Sequence, residues 1–245
     1  MGKGLAVDAS IELRPAPWRA VLGVCLAVTG VIVAASLLVP LATGGRVGGA
    51  YLSVDEELSL PAAWSVSLFA ATSLTAALLT LLSARTERRT ATGWGGVALL
   101  TALMALDEGT SIHERLARLA DWIVPGHGFH FGWLVVGIPL GLLVLGAVAY
   151  LTASLPRVSR RLLLLGFLVF FSGAVGVETV SSTLLGQEVF TREDMPYRIL
   201  THLEELLEFV GTSLMLAGPV AALSWGRDEG ALVLTLRGEG PASRS

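Results

Sequence analysis

Six apolar runs, each long enough to cross a lipid bilayer as a helix, constrain the fold of this chain more than any other feature. A helical crossing needs about 20 apolar residues, because the hydrocarbon core is about 30 Å thick and a helix rises about 1.5 Å per residue. The composition agrees, with 53% hydrophobic and 15% charged residues. The runs, TM1 to TM6, cover approximately residues 20–42, 63–83, 95–113, 131–152, 162–184 and 199–224. We therefore expect an all-α bundle of six transmembrane helices.

The basic residues predict the orientation of this bundle. Lys and Arg collect in cytoplasmic loops, and here 12 of the 17 basic residues lie on one side of the predicted helices. These twelve are Lys3, Arg14, Arg19, Arg85, Arg88, Arg89, Arg157, Arg160, Arg161, Arg227, Arg237 and Arg244. Both ends should therefore be cytoplasmic, with a leader over 1–19, an integral domain over 20–225 and a tail over 226–245.

Three segments outside the spans carry local signals. Apolar residues at helical spacing over 111–124 predict a short helix after TM3 that extends TM3 or lies at the outer interface. In the first outer loop, Ser53 followed by Glu56 resembles a capping box and predicts a short surface helix, with Asp55 in its solvated first turn. The residues after Trp225 form a short polar tail that we expect to be flexible.

Ionisable residues within the apolar runs are restricted to TM3, TM5 and TM6. Each costs at least a few kcal/mol at the centre of a bilayer, so such residues usually face the bundle interior and mark a site or a pathway. They are Asp107, Glu108, Glu178, His202, Glu204, Glu205 and Glu208. From the helical rise, Asp107 lies roughly 18 Å, Glu178 roughly 24 Å, and Glu205 and Glu208 roughly 16 to 21 Å from the inner boundary. Three helices therefore converge on one layer in the outer half of the membrane.

Helix periodicity predicts which residues of this layer face each other. Residues three or four apart share a face, which groups Glu205 with Glu208, and places His202 on the flank of that face. On TM5, Gly173 and Gly176 precede Glu178 and permit close approach of another helix. We therefore expect the face around Glu178 to pack against protein.

The carboxylates of this layer need positive charge, because like charges in a low dielectric disfavour ionisation. TM3, TM5 and TM6 have no Lys or Arg in their apolar parts, which leaves protons, a metal ion, or rim arginines such as Arg115, Arg118 and Arg198. Oxygen and imidazole ligands suit a divalent metal such as Zn, Fe or Mn. The predicted ligands are Asp107, His113, Glu114, Glu178, His202, Glu205 and Glu208. Glu108 and Glu204 are the candidates for catalytic proton transfer.

Further histidines extend or limit this metal hypothesis. His127 and His130 in the loop before TM4 could complete the site from above, although an interfacial role is favoured for them. Helical di-iron proteins use Glu-x-x-His on each of two helices, whereas this chain has His202-x-x-Glu205 on one. A His-Glu-x-x-His protease motif is absent from the sequence.

Three functions follow from these residues. The leading hypothesis is a metal-dependent hydrolase or oxidoreductase acting on a lipid-soluble substrate from the outer leaflet. The alternatives are a proton- or cation-coupled transporter and a structural membrane subunit. The expected partners are membrane lipids, with no nucleic acid, because the basic residues form only loop clusters that attract anionic lipid headgroups.

Three strings in the polar helices carry a resemblance. LDEGTSIHE (106–114), GVETVSS (176–182) and THLEELLEF (201–209) resemble uncharacterised multi-pass bacterial membrane proteins of similar length. The resemblance implies location in the bacterial plasma membrane and no established activity. The strings do not match the Ser, Asp and His pattern of intramembrane ceramidase-like hydrolases.

Overall fold

The computed structural model describes residues 12–44, 49–56, 58–126, 128–228 and 231–237, and it is mostly helical. The α-helices are α1 (Trp18–Thr43), α2 (Gly49–Leu52), α3 (Leu60–Ser83), α4 (Arg88–Thr110), α5 (Ile112–Arg115), α6 (Ala117–Ile123), α7 (Leu134–Leu151), α8 (Arg157–Phe171), α9 (Glu178–Gly186) and α10 (Met195–Val220). A 3-10 turn, Thr152–Ser154, follows α7, and a π-helical segment, Ser172–Val177, joins α8 to α9. The strands are β1 (Arg14–Pro15), β2 (Leu223–Asp228) and β3 (Ala231–Leu236).

Four helical stretches in the described chain are long and apolar enough to cross a membrane. They are α1, α3, α7 with its 3-10 turn, and the continuous helix Arg157–Gly186. Helices α4 and α10, which correspond to predicted TM3 and TM6, are similarly long at 23 and 26 residues. They fall outside this set because they carry the acidic residues that lower their apolar character.

Successive long helices run in opposite directions, and α10 packs against α1, α3 and α8. Hydrogen bonds connect neighbours along their length. Trp64 Nε1 on α3 donates to Thr29 Oγ1 on α1 over 3.1 Å, and Ser73 Oγ on α3 donates to the carbonyl oxygen of Ala98 on α4 over 2.9 Å. The bundle therefore has two ends, one formed by the three strands and the loops before α4 and α8, and the other by the loops before α3, α7 and α10.

The hydrophobic core fills the half of the bundle nearest the three strands. Trp94 near the start of α4, Leu163 and Phe167 on α8, and Met215 late on α10 are fully buried in one cluster. Phe69 on α3 completes it and contacts Phe170 edge to face. Large apolar side chains therefore fill this half, and none of the described carboxylates of the predicted layer lies in it.

A three-stranded antiparallel sheet corrects the all-α prediction and, for residues 226–228 and 231–236, the prediction of a flexible tail; the tail beyond residue 237 lies outside the described residues. In it, β2 pairs with both β1 and β3 in the order β1-β2-β3. Arg14 is opposite Trp225, and Leu223 is opposite Leu236. The chain can form strands here because β3 is an apolar ALVLTL segment whose backbone groups pair with β2. Predicted TM6 is also placed four residues too late, since α10 covers Met195–Val220.

Two loop predictions change as well. The backbone N–H of Asp55 donates to Ser53 Oγ in a turn, and the nearest described helices are α2 before it and α3 after it, so the helix predicted from Ser53 is wrong. Helix α3 is instead capped by Ser59, whose Oγ accepts from Ala62 N over 3.2 Å. The predicted helix over 111–124 forms as α5 and α6 and does not extend α4.

Candidate functional site

A left-handed turn at the end of α4 brings Asp107 and His113 together. Ser111 has φ 51° and ψ 48°, which ends α4, and its N–H donates to the carbonyl oxygen of Asp107 over 2.7 Å. The backbone N–H of His113 then donates to Asp107 Oδ1 over 2.8 Å. The His113 ring contacts the same carboxylate, with Nδ1 3.0 Å from Oδ2. Asp107 thus fixes both the backbone and the ring of His113.

This geometry gives the two predicted ligands different roles. Both carboxylate oxygens of Asp107 contact His113, so Asp107 positions the ring in the way that carboxylates orient metal-bound or proton-transferring histidines. Burial disfavours the charged imidazolium, but the hydrogen bond and the negative charge of Asp107 outweigh burial, and the pKa of His113 lies above its usual value. The group that remains for chemistry is Nε2 of His113.

Trp133 connects this pair to Glu178. Its ring lies 5.0 Å from the His113 ring, centroid to centroid, in an edge arrangement. Its Nε1 donates to Glu178 Oε1 over 2.8 Å. Trp133 was not among the residues predicted for the site, so its role is new. The one signal was its indole N–H, which needs a partner when the ring is buried.

The loop that carries Trp133 is fastened to α9. Phe131 N donates to Ser182 Oγ over 2.8 Å, and His130 N donates to the carbonyl oxygen of Ser182 over 3.3 Å. These bonds hold Trp133 over Glu178. His130 itself is exposed, while the prediction for His127 falls outside the described residues.

Glycines bring α10 against the π-helical segment. A Cβ added to Gly173 would lie 2.6 Å from the carbonyl oxygen of Glu204 and 3.2 Å from Glu208 Cγ, so only glycine fits. The predicted close approach at Gly173 is confirmed. It does not occur at Gly176, where the nearest atom to such a Cβ is in the same helical stretch, 3.9 Å away. The contact at Gly173 buries Glu208, whose exposed fraction is 8%.

A cleft of about 330 Å³ opens at the end of the bundle opposite the sheet. Four glutamates line it: Glu114, Glu178, Glu204 and Glu205. Glu108 and Glu208 lie near enough to interact electrostatically with Glu205. The structure thus brings together the predicted carboxylates of TM3, TM5 and TM6 in one layer.

Basic side chains do not neutralise this layer. Within the described part of the chain, no Lys or Arg lies in ion-pair distance of Glu178, Glu204, Glu205 or Glu208. The nearest candidate at the cleft, Arg192, instead lies over the Phe131 ring at 5.1 Å from its centroid. Protons or a bound cation must therefore balance the carboxylates.

His202 is directed away from the glutamates. Its Nδ1 donates to the carbonyl oxygen of Arg198 over 2.7 Å, and its Nε2 lies 3.3 Å from Ser36 Oγ on α1. Nδ1 is therefore engaged within α10 itself, and Nε2 faces α1. The sequence-based placement of His202 beside Glu205 gave the correct helix but could not foresee its partner on α1.

The described residues contain no group of three or more His, Cys, Asp or Glu arranged to hold a metal ion. The predicted metal ligands consequently separate into the Asp107 and His113 pair, the cleft glutamates, and His202 near α1. Metal binding by these residues stays a prediction.

Tyr197 and Asp55 form a polar contact at the cleft that the sequence interpretation missed. Tyr197 is buried, and its hydroxyl donates to Asp55 Oδ1 over 3.0 Å. Both residues line the cleft. Asp55 was expected in a solvated helical turn, whereas this bond ties the loop before α3 to the start of α10.

Comparison with known proteins adds a family without an activity. Residues 21–223 match the family described as a domain of unknown function, DUF8692. This agrees with the resemblance to uncharacterised proteins. No curated protein and no solved structure matches the chain.

Proposed function

Since the chain belongs to the domain family DUF8692, whose function is unknown, we propose a function from the site alone: an intramembrane acid–base enzyme acting on a lipid-soluble substrate. The bundle crosses the bacterial plasma membrane six times, with both ends in the cytoplasm. The cleft opens to the outer side, and its glutamates exchange protons with the substrate.

The observation that carries this proposal is one cleft lined by four glutamates. In the described ranges, no Lys or Arg lies within ion-pair distance of Glu178, Glu204 or Glu205. Neighbouring carboxyl groups in a site of low dielectric share protons, so one can donate a proton while another accepts one. Glu204 and Glu178 occupy facing helices and are assigned these two tasks. Glu108, which interacts electrostatically with Glu205, exchanges protons with it in this proposal.

The hydrophobic core favours an enzyme over the alternative of a transporter. Transport requires a route to the opposite side of the membrane. Trp94, Phe167 and Met215 fill the half of the bundle between the cleft and the sheet. Substrate and product would therefore enter and leave by the same outer opening.

A metal-dependent form of the same enzyme is the second candidate. It is favoured by the orientation of His113, because a carboxylate at Nδ1 is the usual support for a histidine that binds metal through Nε2. Elemental analysis of protein purified without chelators distinguishes the two forms. Stoichiometric Zn, Fe or Mn supports the metal-dependent form, and metal-free active protein rules it out.

The proposed enzyme is tested by incubating the reconstituted protein with a bacterial membrane lipid extract and following all lipids by mass spectrometry. Glu178→Gln and Glu204→Gln keep the side-chain shape but remove the exchangeable carboxyl proton, so turnover should fall about 100- to 10,000-fold. Glu193→Gln, at an exposed position outside the cleft, should keep full activity. Unchanged lipids with the unmodified protein, or equal turnover in all variants, would reject the proposal.

A further inference from the structure

A second groove, the α1–α10 groove, adjoins the glutamate cleft. Its volume is about 300 Å³, and its walls come from the end of α1 and the start of α10. The groove and the cleft share Val54, Asp55, Arg192, Tyr197 and Thr201. The two spaces are therefore neighbours across one set of side chains.

The α1–α10 groove is apolar on one side and basic at its rim. Leu37, Pro40 and Leu41 of α1 supply apolar surface, while Arg192 and Arg198 stand at the rim. Both arginines are exposed, and neither forms an ion pair with an acidic side chain in the described ranges. The acidic residue of the groove, Asp55, already accepts from the Tyr197 hydroxyl.

We infer that the α1–α10 groove binds a membrane lipid with an anionic phosphate headgroup. The headgroup lies between Arg192 and Arg198, and an acyl chain follows Leu37 and Leu41. That this lipid is the substrate delivered to the cleft rests on the proposed function; its binding does not.

The charge of the rim arginines and their depth in the membrane favour an anionic phospholipid as the occupant of the groove. Arginine binds phosphate oxygens through two parallel N–H donors, and two arginines without an acidic partner in the described chain favour a headgroup with net negative charge over a zwitterionic one that also carries an ammonium. Arg198 directly precedes the predicted start of TM6, so its guanidinium lies at headgroup level in the proposed topology. An unbound phosphate would use the arginines but gain nothing from the apolar wall.

Lipid binding is tested by titrating the detergent-purified full chain with dioleoyl phosphatidylglycerol and dioleoyl phosphatidylcholine under native mass spectrometry. The anionic lipid should bind about tenfold more tightly or better. The Arg192→Gln/Arg198→Gln double variant should lose this preference. Arg115→Gln/Arg118→Gln, which removes two exposed arginines at the same end of the bundle but outside the groove, should retain it.

Two further measurements separate failure of the lipid site from failure of the proposed enzyme. Glycerol phosphate, which has the phosphate but no acyl chain, should bind far more weakly than the lipid; equal binding would make this a site for free phosphate and overturn the inference. Equal affinity for both lipids, or an unchanged preference in the double variant, also overturns it. Glu205→Gln should leave lipid binding intact, so loss of activity in a cleft variant with normal lipid binding bears only on the proposed enzyme.

Discussion

The pairing of Asp107 with His113 shows how one backbone conformation determines the chemistry of two side chains. Ser111 ends α4, and the carboxylate then binds the N–H and the ring of His113. If the helix continued past Ser111, Asp107 and His113 would be six positions apart along it and their side chains would be separated. The Glu178 carboxylate likewise depends on a residue distant in sequence, because it accepts a hydrogen bond from Trp133 Nε1.

Asp107→Asn should make the stability of the protein depend less on pH. Asn keeps an oxygen for the backbone N–H of His113 but removes the charge that raises the His113 pKa. A folded-state pKa above the unfolded value of about 6.5 stabilises the fold below that pH, and this stabilisation is lost as pH rises through the folded pKa.

Thermal unfolding in detergent across this range provides the measurement. The unmodified protein should exceed Asp107→Asn most at acidic pH, and the difference should shrink above the folded pKa of His113. Glu193→Gln serves as the exposed control and should show no such trend. A difference that is constant with pH contradicts this account.

The π-helical segment is the element that brings α10 close to the helix Arg157–Gly186. π-Helical turns are uncommon and often occur at functional sites. Here the segment ends directly before Glu178 and includes Gly173, which contacts the backbone of Glu204. Packing of these two elements therefore controls the distance between the glutamates on α9 and α10.

Gly173→Ala should destabilise the protein, whereas Gly176→Ala in the same segment should not. The added methyl at Gly173 meets the Glu204 backbone at 2.6 Å, and such overpacking typically costs about 1–3 kcal/mol. At Gly176 the nearest atom is 3.9 Å away, so the better helix propensity of Ala should stabilise by up to about 1 kcal/mol. Denaturation of both variants in the same detergent measures their free energies of unfolding. Equal values would mean that the close contact at Gly173 is not needed.

At the scale of the whole molecule, the sheet joins the two ends of the described chain. Because β1 pairs with β2, the segments before α1 and after α10 lie on the same side of the bundle. This arrangement agrees with the even number of crossings in the proposed topology. The glutamate cleft lies at the other end, and the aromatic core separates it from the sheet.

Cysteine labelling of intact cells tests the proposed orientation. In a Cys25→Ala background, Gln187→Cys should react with an impermeant thiol reagent added outside, because Gln187 is exposed at the cleft end. Thr86→Cys, exposed between α3 and α4 at the sheet end, should react only after lysis. The reverse pattern would invert the protein in the membrane.

Apolar length and helical periodicity were enough to predict where most of the long helices lie and which of them carry the carboxylates. Residues 63–83 were expected in a helix and lie in α3, and Glu178, Glu205 and Glu208 were correctly assigned to two facing helices. These properties depend on apolar length and helical periodicity, which are local. The glycine at position 173 was informative for the same reason, since a missing side chain permits close contact whatever the partner.

Contacts between residues distant in the sequence could not be predicted in this way. Trp133 and Glu178 are 45 residues apart, and Ser36 and His202 are 166 residues apart, so no local pattern could pair them. The strands at the chain ends likewise depend on pairing between Arg14 and Trp225. Hydrogen bonds between distant segments form only after the helices have packed, because packing sets the distance and direction of each donor. For this reason the sequence predicted the layer of carboxylates, whereas the fold decided that His202 faces α1 and that Trp133 binds Glu178.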